Sequence, residues 1–172
     1  MPDDTFDVVF VCTGNQFRSP LAEAVFARAT AGLPVHVSSC GTWATDGARA
    51  FDEAARLGTR LSVDLSAHRS RQLGDLSGAD LVVGFERRHV EHAVVDGGAS
   101  RERAFTLPQI VALLEEASAD GSPRERLEAL RPGSVLEAPE IEDPIGLRRE
   151  RQEEIADEVE ALASRLAAGL FR

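Results

Sequence analysis

Short apolar runs alternate with amphipathic stretches along most of this 172-residue chain. Continuous runs of valine, leucine and phenylalanine are typical of buried strands, whereas apolar residues three or four positions apart are typical of helices packed on one face. On that basis the pattern predicts four strands, at Val8–Val11, Leu33–Ser38, Leu81–Phe85 and Ala104–Leu107. It predicts helices at Pro20–Thr30, Phe51–Leu57, Arg69–Leu76, Arg87–Val95, Gln109–Ala117, Arg124–Leu130 and Arg148–Ala168.

The order of these elements predicts the fold class and the place of a ligand site. Strands that alternate with helices form a doubly wound, parallel α/β sheet with helices on both faces. Because no linker or repeat interrupts the chain, we expect residues 1–172 to form one domain. Ligands of such sheets bind beyond the carboxyl ends of the strands, and the first strand ends at Cys12. The proline-containing segment Arg131–Ile145 is predicted to be a long functional loop.

Composition and charge disfavour several classes of function. The formal net charge of −10 argues against non-specific binding to nucleic acid or to an anionic membrane. No apolar run approaches the roughly 20 residues of a membrane span, and the acidic N-terminus lacks the character of a signal peptide. With only two cysteines, a disulfide framework is not expected. We therefore expect a cytoplasmic protein.

Motifs that bind nucleotides or metals are lacking in the sequence. The chain contains no lysine, which excludes a nucleotide-binding P-loop, and it contains no G-x-G-x-x-G. The histidines do not share metal-ligand spacing with the cysteines, and His89 and His92 lie in a polar stretch that we interpret as the solvated face of a helix. We expect neither a metal nor another cofactor.

The strongest chemical signal is the segment from Cys12 to Pro20, which reads Cys-Thr-Gly-Asn-Gln-Phe-Arg-Ser-Pro. It follows a predicted strand and precedes a predicted helix, so its backbone N–H groups and the helix dipole would converge on one anion. A cysteine held there favours the thiolate, and Arg18 provides a planar guanidinium that can bind two phosphate oxygens. This combination indicates phosphoryl transfer through a cysteinyl-phosphate; the alternative is that Cys12 is a buried structural thiol.

These residues resemble the low-molecular-weight protein-tyrosine-phosphatase family, over essentially the whole chain. The family's loop, C-x-G-N-x-x-R-S-P, is matched from Cys12 to Pro20, and the segments at Ser39 and His68 are similar to internal family segments. Asp143-Pro144 matches the family's downstream Asp-Pro pair. The resemblance implies a four-stranded parallel sheet in the order 2-1-3-4. It also implies a metal-independent hydrolase that acts on phosphotyrosine in proteins or on small aryl phosphates, as a monomer or weak dimer.

The resemblance implies roles for the residues that would carry the chemistry. Cys12 would be the nucleophile, and Arg18 would stabilise the transition state. Asp143 would protonate the leaving group and then activate water; the alternative is an ordinary turn residue. The phosphoryl oxygens would be bound by the loop residues Thr13, Gly14, Asn15, Gln16, Phe17 and Arg18.

Other residues would support this machinery or line the substrate cleft. Ser19 would hydrogen-bond the thiolate, whereas Ser39 and His68 would hold Asn15 in a left-handed backbone conformation. The cleft residues implied by the resemblance are Trp43 and Ile145, and a place in the core is an equal alternative for the tryptophan.

The chain departs from the family pattern in ways that leave the substrate open. Phe17 stands where many members have a second cysteine, and Ile145 follows the Asp-Pro pair where many have tyrosine. The chain has no tyrosine at all, which puts a preference for phosphotyrosine in doubt. Two other functions share the loop. One is a thiol-dependent arsenate reductase, for which Cys40, expected to be an inert buried thiol, is the only other cysteine; the other is a non-catalytic phosphate-binding module.

Overall fold

A four-stranded parallel sheet forms the centre of the computed structural model, which describes residues 4–130 and 139–172. The strands are β1 (Phe6–Cys12), β2 (Val35–Gly41), β3 (Leu81–Gly84) and β4 (Ala104–Thr106). They lie in the order β2-β1-β3-β4, and every neighbouring pair is parallel. The predicted α/β class and strand order are confirmed. Of the predicted loop at 131–145, residues 131–138 lie outside the described residues.

Helices cover both faces of this sheet. The α-helices of the described residues are α1 (Arg18–Ala29), α2 (Asp52–Arg60), α3 (Arg87–Val95), α4 (Leu107–Ala117), α5 (Pro123–Glu128) and α6 (Arg149–Phe171). The larger core lies on the face packed by α1, α2, α4 and α6, and the smaller core lies under α3. None of these helices has the length and apolar character needed to cross a membrane.

Successive residues of β1 point to opposite cores, as the pleat of a strand requires. Phe10 and Cys12 belong to the larger cluster, whereas Val9 and Val11 belong to the smaller one. Because Cys40 of β2 pairs with Val11 and packs in the smaller cluster, it lies on the face of the sheet opposite Cys12.

The helix predicted over Arg69–Leu76 is wrong, because this segment bonds to β2 instead of to itself. Gln72 forms an isolated parallel bridge with Gly41. The Gly41 N–H donates to the Arg71 carbonyl at 3.0 Å, and the Leu73 N–H donates to the Gly41 carbonyl at 2.8 Å. The backbone groups are satisfied across the end of the sheet, and this brings residues 68–72 against the loop that follows Cys12.

Gly41 allows the end of β2 to approach that loop closely. A Cβ at this position would lie 2.4 Å from the Thr13 carbonyl oxygen and 3.0 Å from the Asn15 nitrogen. The contact is completed by the Trp43 N–H, which donates to the Thr13 carbonyl at 2.9 Å. The loop therefore lies at the carboxyl edge of the sheet, where a ligand site is expected in this fold.

Candidate active site

Cys12 ends β1 and is buried at the start of the loop, beside the first turn of α1. Its Sγ lies 2.9 Å from the Oγ of Ser19. The same Oγ accepts a hydrogen bond from the Asn15 amide nitrogen at 2.8 Å. Because a hydroxyl has a single hydrogen, Ser19 can use it to donate to the sulfur. Such a bond stabilises the thiolate more than the thiol.

Asn15 is buried and has a φ of 55°, so the left-handed conformation predicted for it is confirmed. Its Nδ2 donates to Ser39 Oγ at 2.9 Å, and its Oδ1 accepts from the Arg71 N–H at 3.0 Å. Its carbonyl accepts from His68 Nε2 and from Ser70 Oγ, each at 2.7 Å. Ser39 and His68 thus contact Asn15 as the resemblance implied. Ser70 and Arg71 join them because the 68–72 segment is extended.

Arg18 is 2% exposed, and its guanidinium is anchored on one side. Nη1 donates to Glu86 Oε2 and to the Ile141 carbonyl, both at 2.8 Å. Partial burial raises the pKa of Glu86, but the hydrogen bond and charge of Arg18 more than offset it, so the pKa lies below its usual value. Glu86 is therefore a carboxylate that orients Arg18. Sequence reasoning missed Glu86, because it stands among other charged residues and nothing in the sequence distinguishes it from them.

Asp143 approaches the guanidinium of Arg18 at its other terminal nitrogen, Nη2. Its side chain is 41% exposed, and its Oδ2 lies 3.7 Å from Arg18 Nη2. Its Oδ1 accepts from the Ile145 N–H at 3.0 Å, which is the local bond of a turn. Asp143 is therefore a turn residue, as the alternative predicted, and it also lies beside the loop that follows Cys12.

A cavity of about 160 Å³ opens between these groups. It is lined by Cys12, Thr13, Gly14, Gln16, Phe17, Arg18, Phe51, Asp143 and Ile145. The structure thus brings the three residues predicted to be catalytic to one small cavity. Phe51, which the sequence did not single out, forms an apolar part of its wall.

Trp43 is 85% exposed, so the alternative of a place in the core is wrong. Nor does its side chain line the cavity, although its backbone hydrogen-bonds to the loop. The aromatic wall expected from Trp43 is therefore supplied by Phe51.

His89 was predicted to lie on the solvated face of a helix, and this is wrong, because the residue is fully buried at 0% exposure. His92, the other histidine of that pair, is exposed and bonds to Asp96 at 2.6 Å. Burial, followed by the charge of Arg18, lowers the pKa of His89 to about 3. Within residues 4–130 and 139–172, no three histidine, cysteine or acidic side chains form a group that could hold a metal ion.

Cys40 is buried, as predicted, and its burial raises the pKa of the thiol to about 11. A protonated thiol on the opposite face of the sheet is unable to attack a sulfur at Cys12 without rearrangement of the strands. This arrangement disfavours an arsenate reductase that relays electrons through a second cysteine of its own chain, and it leaves the form that uses an external thiol.

The fold and the cysteine-centred cavity define a small phosphatase of the α/β class. The family model described as low molecular weight phosphotyrosine protein phosphatase matches residues 7–120, and the chain belongs to this family. It is 30% identical over 168 residues to a protein-arginine-phosphatase of Geobacillus stearothermophilus, with 96% of both chains covered. It is 38% identical over 91 residues to low molecular weight protein-tyrosine phosphatase A of Mycobacterium tuberculosis, covering 50% of this chain and 56% of the relative.

The fold of this chain is similar to that of a solved structure over nearly its full length. The crystal structure of a YwlE mutant from Bacillus subtilis superposes with a TM-score of 0.75 at 28% identity, and it covers 98% of this chain and 100% of that one. The family, the sheet order and the enzymatic class predicted from the sequence are thereby confirmed.

Proposed function

We propose that this protein hydrolyses phosphomonoesters through a cysteinyl-phosphate on Cys12, with phosphotyrosine in proteins or small aryl phosphates as substrates. The proposal rests on the arrangement of side chains around one cavity. The sulfur of Cys12 lies 2.9 Å from the Ser19 hydroxyl, in a cavity that Arg18 and Asp143 also line. The residues proposed as nucleophile, anion-binding group and acid therefore line one cavity of about 160 Å³.

In the first step the thiolate attacks phosphorus, an S–P bond forms and the P–O bond to the leaving group breaks. Asp143 donates its proton to the departing oxygen. In the second step Asp143 removes a proton from a water molecule, which attacks phosphorus while the S–P bond breaks. Ser19 then stabilises the departing thiolate through its hydrogen bond.

Arg18 serves both steps because its orientation is fixed before substrate arrives. Glu86 and the Ile141 carbonyl hold Nη1. A guanidinium that needs no reorganisation stabilises the charge of the transferring phosphoryl group most effectively.

The test is Cys12→Ser, with Cys40→Ser as the matched control on the other face of the sheet. We expect Cys12→Ser to abolish hydrolysis of p-nitrophenyl phosphate while it continues to bind inorganic phosphate, because the loop remains intact. Cys40→Ser should retain the wild-type rate. Activity of Cys12→Ser above a few per cent of wild type contradicts the covalent mechanism.

Phosphoarginine in proteins is a second candidate substrate, and Gln16 favours it. Gln16 lines the cavity, and its Nε2 donates to the Arg49 carbonyl at 2.8 Å. Among the hydrogen bonds of the described residues, none reaches Oε1 of Gln16. This oxygen can therefore accept from a guanidinium N–H, which an aryl leaving group does not possess. The relative that covers 96% of this chain is named a protein-arginine-phosphatase, which also supports this candidate.

Two peptides of one sequence, carrying phosphotyrosine or phosphoarginine, distinguish these substrates. If phosphoarginine is the substrate, Gln16→Leu should lower kcat/KM for that peptide by roughly tenfold, the value of a lost hydrogen bond to a charged group. Hydrolysis of p-nitrophenyl phosphate should change less than about twofold under the same reasoning. An equal loss on both substrates, or a wild-type enzyme that leaves phosphoarginine intact, rules this candidate out.

A further inference from the structure

His89 lies beneath the loop that follows Cys12, shielded from solvent, although the mechanism above assigns it no task. It is the third residue of α3, and Gly84 at the end of β3 leaves room for it. A Cβ on Gly84 would lie 2.9 Å from the Cβ of His89. A fully buried imidazole needs hydrogen-bond partners for its ring nitrogens. Both nitrogens have them here, and the partners fix which nitrogen carries the hydrogen.

Nδ1 of His89 is an acceptor. The backbone N–H groups of Phe85 and Glu86 both donate to it, at 3.2 and 3.1 Å. Because these groups can only donate, Nδ1 has no hydrogen of its own, and in the neutral ring the hydrogen is on Nε2. Burial and the charge of Arg18 lower the pKa of His89 to about 3, so the ring is neutral at physiological pH.

The Nε2–H of His89 faces the first loop residue after the nucleophile. It lies 3.0 Å from Thr13 Oγ1, and 3.4 Å from Glu86 Oε2. Arg88 Nη2 is a second donor to Thr13 Oγ1, at 3.4 Å. The Thr13 oxygen therefore accepts from the protein, and its own hydrogen has no acceptor among the hydrogen bonds of the described residues. Thr13 is also one of the residues that line the cavity beside Cys12.

From this geometry, and resting on the cysteinyl-phosphate mechanism proposed above, we infer that the Thr13 hydroxyl donates to a phosphoryl oxygen of the substrate. His89 is the positioning residue that directs this hydroxyl. The loop then has a side-chain donor in addition to its backbone N–H groups. A donor already aimed at the developing negative charge stabilises the transition state without reorganisation.

The first test compares Thr13→Val, which keeps the shape of the side chain, with Thr13→Ser, which keeps the hydroxyl. Thr13→Val should lower kcat/KM for p-nitrophenyl phosphate by roughly tenfold or more, and weaken inhibition by orthovanadate by a similar factor. Thr13→Ser should remain within about threefold of wild type on both measures. Equal behaviour of the two variants overturns the inference.

The second test separates positioning by His89 from mere support of the fold. His89→Asn keeps an acceptor near the Phe85 and Glu86 N–H groups but removes the donor to Thr13, whereas His89→Gln supplies an amide N–H toward the Nε2 position. We expect His89→Asn to reproduce the kinetic loss of Thr13→Val, and His89→Gln to recover part of it. Adding His89→Asn to Thr13→Val should cause little further loss. His92→Asn, on the exposed side of α3, is the control and should match wild type.

If the fold-losses of the two single variants multiply in the double variant, His89 acts independently of Thr13. That result overturns the role of His89 as a positioning residue. Should the His89 variants fail to fold, the Thr13 pair still decides whether the hydroxyl contributes. The proposed function is judged separately, by Cys12→Ser. If Cys12→Ser is inactive while Thr13→Val and Thr13→Ser have equal kcat/KM, the cysteinyl-phosphate mechanism stands and only the role of the Thr13 hydroxyl is refuted.

Discussion

At the scale of single residues, Asp143 uses its two carboxylate oxygens for different purposes. Oδ1 accepts from the Ile145 N–H and fixes the turn, whereas Oδ2 lies 3.7 Å from Arg18 Nη2 at the cavity. The neighbouring Glu142 turns away and pairs with Arg151 at 2.6 Å. Of these adjacent carboxylates only Asp143 lines the cavity, and this makes it the acid of the proposed mechanism.

Asp143→Asn should slow turnover by roughly 10²–10⁴-fold, the usual contribution of a positioned acid. The asparagine can keep the turn by accepting from Ile145 but has no proton to give, so the loss should be greatest for substrates with poor leaving groups. A series of aryl phosphates of graded leaving-group pKa measures this. Glu142→Gln is the control and should behave as wild type. If Asp143→Asn leaves the dependence on leaving group unchanged, another residue donates the proton.

The same scale shows which site residues the sequence could reveal. Cys12, Arg18 and Asn15 stand in a contiguous motif whose chemistry is local, so the pattern was sufficient to find them. Glu86 and His89 stand in the polar run Glu-Arg-Arg-His, where nothing in the residue types separates the buried members from the exposed ones. The packing of α3 against β3 and β4 buries His89 and leaves Glu86 partly buried, and this packing is a tertiary fact.

At the scale of elements, the pairing of β1 with β2 determines where the two cysteines lie relative to each other. Cys12 and Cys40 lie one position apart in the register but on opposite faces of the sheet. A disulfide requires Cβ atoms that point toward each other. Phe17, which replaces the usual cysteine before the loop arginine, is buried and offers no thiol. An oxidised Cys12 therefore has no resolving thiol on its own face of the sheet.

We expect peroxide to inactivate the enzyme with poor recovery on later treatment with dithiothreitol, because sulfenic acid without a resolving thiol proceeds to irreversible forms. Cys40→Ser should lose activity at the same rate and recover equally poorly. The measurement is residual p-nitrophenyl phosphate hydrolysis after timed peroxide exposure, before and after reduction. Full recovery of wild type that is lost in Cys40→Ser would show that Cys40 reaches Cys12.

Elements whose stability comes from their own periodic pattern were the predictable ones. The final helix was predicted at Arg148–Ala168 and is found at Arg149–Phe171, because its apolar residues recur at helical spacing. The helix predicted at Arg69–Leu76 failed for the opposite reason. The N–H of Arg71 bonds to Asn15 Oδ1 and that of Gln72 to Asp46 Oδ1, and such distant partners leave no trace in local periodicity.

At the scale of the whole molecule, the loop from Cys12 to Arg18 is held from three sides. The end of β2 and the 68–72 segment support Asn15. Glu86, which precedes α3, supports Arg18, and His89 of α3 supports Thr13. The 141–145 segment brings Asp143 to the cavity. These segments are far apart in sequence and meet only because the parallel strands end at one edge of the sheet. The fold thus holds this loop in a fixed arrangement around one cysteine.

Trapping the intermediate shows whether a cysteinyl-phosphate forms on Cys12. Wild-type enzyme turning over an aryl phosphate with a good leaving group should show a burst of phenol, because formation of the cysteinyl-phosphate then outpaces its hydrolysis. Denaturation in alkaline solution during turnover, followed by peptide mass spectrometry without acid, should find one phosphoryl group on the peptide that contains Cys12. A phosphoryl group on another residue, or linear phenol release with an unmodified Cys12, would contradict the account.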